Sequence, residues 1–319
     1  MNGKGQMVRF LSWNVDMSTE PIGPRMHGLL LQIRELKPDV VMLQEVTPIS
    51  FKILGKYLWD TVDNVKSDAT EQNMNSVGRT TGEKENGDVA QQQAPHSTAL
   101  GHAPYDLHID PSWPEELPYF CLLLTRRKLF YNPSSSTTRF ATSRMYRGYV
   151  AASGTISSGA NLFIVTSHLE SSKDSTVERK SQLLQILDTM RERVDEGYST
   201  FFAGDTNLRE AEVPASEIIK KPKAGESGRR KRKSMKEKFS DVWVMAGGSD
   251  ENKFTWDTQS NDNLGMVGDF RPKSRYDRAF VLSPSNGERV SGFNLVGRER
   301  LECGRFISDH WGLCIDMIY

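Results

Sequence analysis

The chain has 319 residues, with 41 lysines and arginines, 41 aspartates and glutamates, and 37% hydrophobic residues. This length and composition suit one large α/β domain or two smaller ones, and they exclude collagen-like, coiled-coil and wholly disordered proteins. The sequence has no apolar run of about 18 residues and no signal peptide at its start, so we expect a soluble protein that is not secreted. Its three cysteines are widely spaced and odd in number, which favours a reducing compartment over a disulfide framework.

Charge is unevenly distributed along the chain. The segment Lys220–Lys238 contains ten basic and two acidic residues, so it carries +8 while the other 300 residues sum to −8. Within it, Gly228–Lys233 has the composition of a nuclear localisation signal or a nucleic-acid patch, although a solvated charge run without a partner is an equal alternative. Because the rest of the chain repels polyanions, a nucleic acid would have to be held by a local groove or by a metal ion.

The first predicted elements alternate between strand and helix. Val8–Val15 is rich in β-forming residues, and Arg25–Leu36 has apolar residues at helical spacing. Asp39–Leu43 is a short continuous apolar run, which is typical of a strand buried on both faces. A second helix is expected over Ile49–Leu58. The forty residues Asp63–His102 contain no aromatic residue and no isoleucine, so we predict a disordered insertion there.

Ordered structure is expected to resume at Pro118. The segment Ser175–Val194 has an apolar stripe among charged residues and predicts an amphipathic helix. Strands are predicted at Tyr119–Thr125, Gly148–Ile156, Asn161–Ser167, Thr200–Ala203, Tyr276–Leu282, Val290–Val296 and Trp311–Ile318. Strands and helices alternate over the whole length without a repeat or a separating linker. We therefore predict a single α/β domain over residues 1–319, with layered sheets and insertions at 63–102 and 220–238.

Polar residues suited to phosphate chemistry stand at the ends of several predicted strands, where a rigid scaffold can fix their geometry. These residues are Asn14, Asp16, Glu45, His168, Asp205, Asn207, Asp309 and His310. Each has an ordinary alternative, because Asn and Asp are common in turns, glutamate is common on surfaces, and a lone histidine is often structural. Asp277 could supply a carboxylate that orients one of the histidines. Taken singly, none of these residues decides a function.

Their order along the chain is more specific than any one of them. The successive motifs WN, QE, SH, GDxN, RYD and SDH, from Trp13 to His310, resemble the signature of the endonuclease/exonuclease/phosphatase superfamily, the deoxyribonuclease-like phosphodiesterases. Five longer stretches resemble the 5′-specific tyrosyl-DNA phosphodiesterases within it: Leu43–Val46, Ser167–Ser171, Gly204–Arg209, Phe254–Thr258 and Ser308–Leu313. The resemblance covers nearly the whole chain apart from the two insertions. A ubiquitin-associated domain often precedes the catalytic domain in that family, and we expect none to be encoded before Met7.

The resemblance implies both a fold and a reaction. The fold would be a four-layer α/β/β/α sandwich, with two packed mixed β-sheets flanked by helices. The reaction would be magnesium-dependent hydrolysis of the bond between a topoisomerase tyrosine and the 5′ phosphate of DNA, which leaves a 5′ phosphate for repair. One Mg²⁺ should suffice, and Mn²⁺, which also prefers oxygen ligands, should substitute for it.

The family pattern also implies a role for each motif residue. Asp205 would be the general base for water, with Asn207 as its orienting partner. Glu45 would be the main magnesium ligand, and Asp16 would hold the metal directly or through water. Asn14, His168 and His310 would contact the scissile phosphate, and Asp309 would support the metal or a histidine. Asp277 keeps the part suggested above, a carboxylate that orients one of the histidines.

Substrate selection is expected to come from residues beside the shared core. Arg209 could reach a phosphate or a base, and Ser171 belongs to one of the matching stretches. Flat side chains stack on single-stranded bases regardless of sequence. The resemblance places four residues along a groove for a displaced strand: Trp256, Leu264, Tyr276 and Tyr119. A half-buried core aromatic is the ordinary alternative for Trp256.

Two other classes of function stay open on the sequence. One is a different phosphoesterase of the superfamily, such as an abasic-site endonuclease, an RNA nuclease or a phosphoinositide phosphatase. The other is an inactive interaction module, although such a module has no reason to keep a cluster of like-charged carboxylates. The expected partner is DNA bearing a 5′-linked tyrosine or a topoisomerase peptide, with no membrane. We expect a monomer located in the nucleus, with the cytoplasm as a second compartment.

Overall fold

The computed structural model describes residues 5–18, 20–59, 104–219, 238–266, 268–284 and 287–319. The predicted insertion at 63–102 lies outside these described residues, and so does the basic segment at 220–238 except for its last residue. Each predicted strand and helix is found, in the expected order and with boundaries that differ by a few residues. No helix in the described ranges combines the length and the apolar character that crossing a membrane requires.

The described residues form fifteen strands. In chain order these are β1 (Met7–Asn14), β2 (Val40–Val46), β3 (Tyr105–His108), β4 (Phe120–Arg126), β5 (Tyr131–Arg139), β6 (Gly148–Thr155), β7 (Asn161–His168), β8 (Ser199–Asp205), β9 (Ile218–Ile219), β10 (Phe239–Asp241), β11 (Trp256–Asp257), β12 (Lys273–Ser274), β13 (Asp277–Leu282), β14 (Arg289–Val296) and β15 (Gly312–Ile318). The helices are α1 (Ile22–Leu36), α2 (Pro48–Leu58), α3 (Trp113–Glu116), α4 (Thr176–Asp195) and α5 (Val242–Met245).

The strands form two large sheets and one small one. The first sheet has six strands in the order β14-β15-β1-β2-β4-β3, and the second has seven in the order β5-β6-β7-β8-β13-β10-β9. Both are mixed, because β1 pairs parallel with β2, β7 pairs parallel with β8, and most other neighbours are antiparallel. Strands β11 and β12 form a separate two-stranded ribbon.

The two large sheets pack face to face. Along a strand, successive side chains point to opposite faces, so one strand can serve two cores. In β8, Phe201 belongs to the core between the sheets and stacks on Phe10 of β1 with ring centroids 3.9 Å apart. Its neighbour Phe202 points the other way and packs with Leu183 and Leu187 of α4. Helix α4 therefore covers the outer face of the second sheet.

Helices α1 and α2 cover the outer face of the first sheet. Met26 and Leu29 of α1 and Leu54 of α2 are fully buried in the core that includes the first sheet. Helix α2 begins at a capping box in which Thr47 and Ser50 bond each other's backbone N–H groups. Helices outside two packed mixed sheets make four layers, so the predicted α/β/β/α sandwich is confirmed.

Several strands were not predicted: the edge strands β3 and β5, and the strands of two or three residues, β9, β10, β11 and β12. Ordered structure begins before Pro118, because β3 pairs with β4 and α3 follows it. Strand β3 has only four residues, with Tyr105 and His108 buried, which is too short to show a period. Strand β5 was not predicted, since it contains Pro133 and almost only polar residues. It lies at the edge of its sheet with nearly every residue exposed, so it needs no apolar face.

Candidate active site

The predicted polar residues converge at one edge of the two packed sheets. Asn14 ends β1 and His168 ends β7, while Asp205 ends β8, which runs parallel to β7. Asp277 begins β13, and this strand is antiparallel to β8, so Asp277 lies opposite Asp205 in register. The carboxyl ends of the parallel strands and the start of β13 therefore meet in space.

Close approach of β7 and β8 sets the register of the site. A Cβ atom on Gly204 would lie 2.1 Å from the backbone oxygen of Ser167, so only glycine fits at this position. The pairing of Ser167 with Gly204 is followed by the pairing of His168 with Asp205. The glycine of the GDxN motif thus brings the imidazole beside the carboxylate.

Asp205 is the centre of the cluster and is 1% exposed. Its Oδ2 accepts a 2.9 Å hydrogen bond from Asn14 Nδ2 and lies 3.3 Å from His168 Nε2. Its Oδ1 accepts a 2.9 Å bond from the backbone N–H of Asn207. Burial and the nearby Asp277 raise the pKa of Asp205 to about 6, against the opposing effects of His310, Asn14 and Asn207. This carboxylate is oriented from several sides and is poised to take up a proton near neutral pH.

His310 forms a tight pair with Asp277. The Nδ1 of His310 lies 2.7 Å from Asp277 Oδ2, and its Nε2 lies 3.9 Å from Asp205 Oδ2. Burial alone would lower the pKa of His310, but the charges of Asp277, Asp309 and Asp205 raise it well above its ordinary value. The ring therefore carries protons on both nitrogens, with Nε2–H on the side of Asp205.

His168 is held in the opposite charge state. Its Nδ1 lies 2.8 Å from a guanidinium nitrogen of Arg147. A guanidinium only donates hydrogen bonds, so Nδ1 must accept, and the single ring proton sits on Nε2, which faces Asp205. Burial, Arg147 and His310 lower the pKa of His168 well below its ordinary value. The site thus has one neutral and one charged imidazole, and both aim an N–H at the same region.

Arg147 was not among the site residues predicted from the sequence. It is 6% exposed, lies just before β6, and stands 5.0 Å from the ring centre of Tyr119. Arginine at the end of a loop is usually exposed, and twenty residues separate Arg147 from the histidine it contacts. No spacing in the sequence marks that contact, which depends on the pairing of β6 with β7.

Acidic residues gather on another side of the cluster. Glu45 is half-buried, has a left-handed backbone with φ of 58°, and places Oε1 3.8 Å from His168 Nδ1. Its Oε2 accepts a 2.9 Å bond from the backbone N–H of Met17. Burial, together with the charges of Asp16 and Glu45, raises the pKa of Asp309. Concentrated negative charge with free oxygen lone pairs favours a divalent cation.

Both carboxylate oxygens of Asp16, a predicted metal ligand, already accept hydrogen bonds from protein groups. Its Oδ2 pairs with the buried Arg25 at 2.6 Å, and its Oδ1 accepts bonds from the backbone and hydroxyl of Ser18. These bonds take three of the roughly four acceptor positions of the carboxylate, and the charged Arg25 lies against Oδ2, which disfavours direct contact with a cation. Binding through a water molecule is the version of its predicted role that this arrangement favours.

The residues present fit a metal ion by their chemistry. Asp205, Asp277 and His310 offer ligand atoms that all lie within 4.8 Å of one another. Asp277 Oδ1 is buried and has no hydrogen-bond partner among the described residues. Carboxylate oxygens of this kind are the ligands that hard divalent cations prefer.

The predicted substrate residues fall into two groups. Trp256 and Tyr276 lie beside the cluster: their ring centres are 5.6 Å apart, Tyr276 is 6.5 Å from His310, and Trp256 Nε1 donates to Asp309 at 3.2 Å. Tyr119 borders the cluster through Arg147. The other three side chains have no hydrogen bond or ion pair to the cluster within the described ranges. These are Arg209, which contacts Glu212, Ser171, which contacts Met145, and Leu264, which is 47% exposed.

An ion pair holds the loop that follows Asp205 and Asn207. Glu212 accepts hydrogen bonds from the fully buried Arg179, from Thr176 and from the backbone N–H of Arg209. Burial alone would raise the pKa of Glu212, but these bonds lower it to about 2. Helix α4 is in this way fastened to the loop that carries Asn207.

Replacing Glu212 with glutamine should destabilise the fold by about 1–3 kcal/mol at pH 7. A carboxyl group whose pKa falls on folding contributes stability above its unfolded pKa, about 4.5, and loses that contribution as the pH approaches 2. The difference between wild type and variant should therefore shrink below pH 4.5. Urea unfolding at pH 7, 4 and 3 measures it. Glu196→Gln, in an exposed pair with Arg193, is the matched control and should change stability by less than about 0.5 kcal/mol. A constant difference across this pH range would contradict the ion-pair explanation.

The fold and the site together define a class of protein. Enzymes of this class have the four-layer α/β/β/α fold, carry Asp, His, Asn and Glu at one edge of the two sheets, and hydrolyse phosphate esters. The sequence profile of the Endonuclease/Exonuclease/phosphatase family matches residues 11–310, and the chain belongs to this family. The resemblance inferred from the motifs is confirmed.

Within this family, the chain is similar to proteins named tyrosyl-DNA phosphodiesterase 2. Human tyrosyl-DNA phosphodiesterase 2 is 27% identical over 316 residues, which are 98% of this chain and 68% of the human protein. The crystal structure of the Danio rerio protein of that name, in complex with single-strand DNA product, superposes with a TM-score of 0.69 at 27% identity, and covers 98% of this chain and 99% of that one. The truncated Caenorhabditis elegans protein, at 24% identity and a TM-score of 0.68, covers all of both chains and supports the fold alone.

Proposed function

We propose that this chain is a divalent-metal-dependent phosphodiesterase that hydrolyses the bond between a tyrosine and the 5′ phosphate of DNA. The observation that carries the proposal is the buried Asp205, held between Asn14, His168 and His310 beside the acidic Glu45. The relatives named tyrosyl-DNA phosphodiesterase 2 and the likeness to a DNA product complex support the choice of substrate.

Asp205 is proposed as the general base. It would accept the proton of the water that attacks phosphorus, while the backbone N–H of Asn207 keeps its Oδ1 in place. The amide of Asn207 donates to the backbone oxygen of Leu169 at 3.2 Å, which fixes the loop rather than the water. We therefore propose that Asn207 orients Asp205 through its backbone N–H and not through its side chain.

The two histidines and Asn14 are proposed to neutralise the phosphate. His168 and His310 each direct an Nε2–H toward the space beside Asp205, where developing negative charge on phosphate oxygens would lie. Asp277 keeps the His310 ring charged and oriented. The leaving group is a phenol with a pKa of about 10, so it needs little acid assistance.

Glu45 is proposed as the main metal ligand, supported by Asp309 and, through water, by Asp16. His310 and Asp277 are already bonded to each other at 2.7 Å, so a metal between them would have to break that pair. The acidic side near Glu45 needs no such loss. A bound Mg²⁺ would supply Lewis-acid stabilisation of the phosphate charge, and Mn²⁺ should replace it.

Trp256 and Tyr276 are proposed as the platform for the DNA strand, with Tyr119 and Leu264 along the same groove. Flat side chains stack on bases without reading their sequence. Arg209 and Ser171 stay candidate substrate contacts. We also propose a monomer that works in the nucleus and cytoplasm on ends left by trapped topoisomerase.

Trp256→Ala should weaken single-stranded DNA binding by about 1–3 kcal/mol, which raises Kd about 5- to 150-fold. The expected cause is the loss of one stacked base. Fluorescence anisotropy with a labelled oligonucleotide measures it. Trp256→Phe keeps the ring but loses the bond to Asp309, so it should retain most of the affinity, and Tyr131→Ala, an exposed residue of β5, should have no effect. Unchanged affinity in Trp256→Ala would show that Trp256 does not contact the DNA strand.

The deciding experiment is product analysis with a 5′-phosphotyrosyl oligonucleotide, with and without Mg²⁺. We expect a clean 5′-phosphate end that appears only with the metal. An abasic duplex and a polyadenylate RNA serve as comparison substrates, because they separate this activity from the other phosphoesterases of the family. Faster turnover of either comparison substrate would contradict the proposal.

A further inference from the structure

Glu170 is a buried carboxylate that the proposed reaction does not use. It is 1% exposed and lies two residues after His168. Within the described part of the chain, no lysine, arginine or histidine side chain forms a salt bridge with it. Burying a carboxylate without a cation is costly unless hydrogen bonds replace the lost water. The hydrogen bonds of Glu170 therefore have to replace that water.

The bonds that Glu170 makes all reach one turn and one helix. Its Oε2 accepts a 2.7 Å bond from the hydroxyl of Ser143, and its Oε1 accepts a 2.9 Å bond from the backbone N–H of Arg144. Gln182 of α4 completes the set, because its Nε2 donates to Oε2 at 3.0 Å and its Oε1 accepts from the Glu170 backbone at 2.8 Å. Three donors therefore fix the direction of the carboxylate.

The turn that Glu170 holds ends at Arg147. The hydroxyl oxygen of Ser143, while donating to Glu170, accepts a 2.8 Å bond from the backbone N–H of Arg147. The backbone N–H of Phe140 donates to the oxygen of Arg147 at 3.0 Å and closes the turn. The position of the Arg147 backbone is thus set by a chain of contacts that begins at Glu170.

Arg147 in turn determines which nitrogen of His168 carries the proton. The guanidinium reaches His168 Nδ1 at 2.8 Å, and this contact leaves Nε2–H toward Asp205. A shift of the turn by a fraction of an ångström would lengthen that hydrogen bond. Without it, the imidazole can adopt the other tautomer, which would present a lone pair to the phosphate.

We propose that Glu170 is a positioning residue: by holding the turn 143–147 it keeps Arg147 on His168, and so keeps His168 in the tautomer that donates toward the scissile phosphate. The contribution of His168 to phosphate binding in this statement rests on the proposed function. The tautomer itself does not, since it is a property of the protein without substrate.

The test uses the full chain with Glu170→Gln. The glutamine side chain has the same shape, but its NH₂ group faces one of the three donors and cannot accept a hydrogen bond from it. The turn 143–147 should therefore loosen. We expect kcat to fall about 10- to 100-fold, with KM within about twofold of wild type, because a misplaced donor acts on the transition state more than on binding. ¹⁵N NMR of histidine-labelled protein should show His168 change from the Nε2–H tautomer to a mixture.

Matched variants separate positioning from general stability. Glu116→Gln alters an exposed carboxylate that bonds Arg139 and neither Gln182 nor the turn 143–147, so kcat and the tautomer should stay as in wild type. Ser143→Ala removes the same turn contact from the other side, and its effect on kcat should not add to that of Glu170→Gln. If Glu170→Gln fails to fold, Ser143→Ala carries the test alone.

The outcomes are distinct. An unchanged His168 tautomer in Glu170→Gln or Ser143→Ala, with any loss of rate matched by a loss of thermal stability, would make Glu170 a purely structural residue and overturn the inference. A changed tautomer in a protein that does not cleave 5′-phosphotyrosyl DNA would leave this inference standing while the proposed function fails.

Discussion

Asp205→Asn should lower kcat for 5′-phosphotyrosyl DNA by about 10²- to 10⁴-fold. The amide keeps the shape of the side chain but cannot accept the proton of the attacking water. Burial and the neighbouring Asp277 raise the pKa of Asp205 to about 6, which shows that they disfavour its charged form. Asparagine removes this unfavourable charge. The variant should therefore fold at least as stably as wild type. Steady-state kinetics, together with DNA affinity measured in parallel, give the result.

Retained DNA binding is the informative part of this experiment. The aromatic pair Trp256 and Tyr276 is untouched, so Kd for single-stranded DNA should stay within about threefold of wild type. Asp188→Asn, in an exposed ion pair of α4, is the matched control and should keep full activity. Wild-type turnover by Asp205→Asn would remove it as the base, and the proton would then have to go to another group of the cluster.

Glu45→Gln should raise the Mg²⁺ concentration for half-maximal activity by at least about tenfold. The substitution removes one negative charge and one oxygen ligand while it keeps the size of the side chain, and ligand charge sets the affinity of such sites. Calorimetric titration with Mn²⁺ gives a second readout that does not depend on turnover. Chelation of divalent ions should abolish activity in the wild type, and added Mg²⁺ should restore it.

Two further variants define where the metal lies. Glu35→Gln, exposed on α1, is the control and should leave metal affinity unchanged. Asp277→Asn removes a candidate ligand from the group of Asp205, Asp277 and His310. If it weakened Mn²⁺ binding more than Glu45→Gln did, the metal would belong to that group, and the assignment of Glu45 would be wrong.

The secondary structure was predictable where each segment carries its own signal. Helix α4 has an apolar stripe because one face lies on Phe202 and Phe280 and the other faces solvent. The first four residues of β2, Val40–Leu43, are an unbroken apolar run because they are buried on both faces of the first sheet. The edge strands β3 and β5 have no such signal, since β3 is too short to show a period and β5 is held by backbone pairing to β6 without an apolar face.

The site was predictable as a set of residues and much less as a set of contacts. The motif residues Asn14, His168, Asp205, Asp277 and His310 do come together. Three contacts around the site were not predicted. Arg147 bonds His168, Arg25 pairs with Asp16, and Glu170 accepts a hydrogen bond from Ser143 of the turn 143–147. Arginine and glutamate are common surface residues, and only packing shows which of them are buried.

Residue types and their order are properties of the chain itself. The order of the motifs determined the family and the list of polar groups, and the hydrophobic periods of single segments determined the layered α/β architecture. Neither property depends on which residues lie nearby in space. Proton positions and charge states belong to the tertiary structure. One histidine is neutral beside Arg147 and the other is charged beside Asp277, because the pKa of an imidazole depends on burial and on charges within a few ångströms, which only the folded chain brings together.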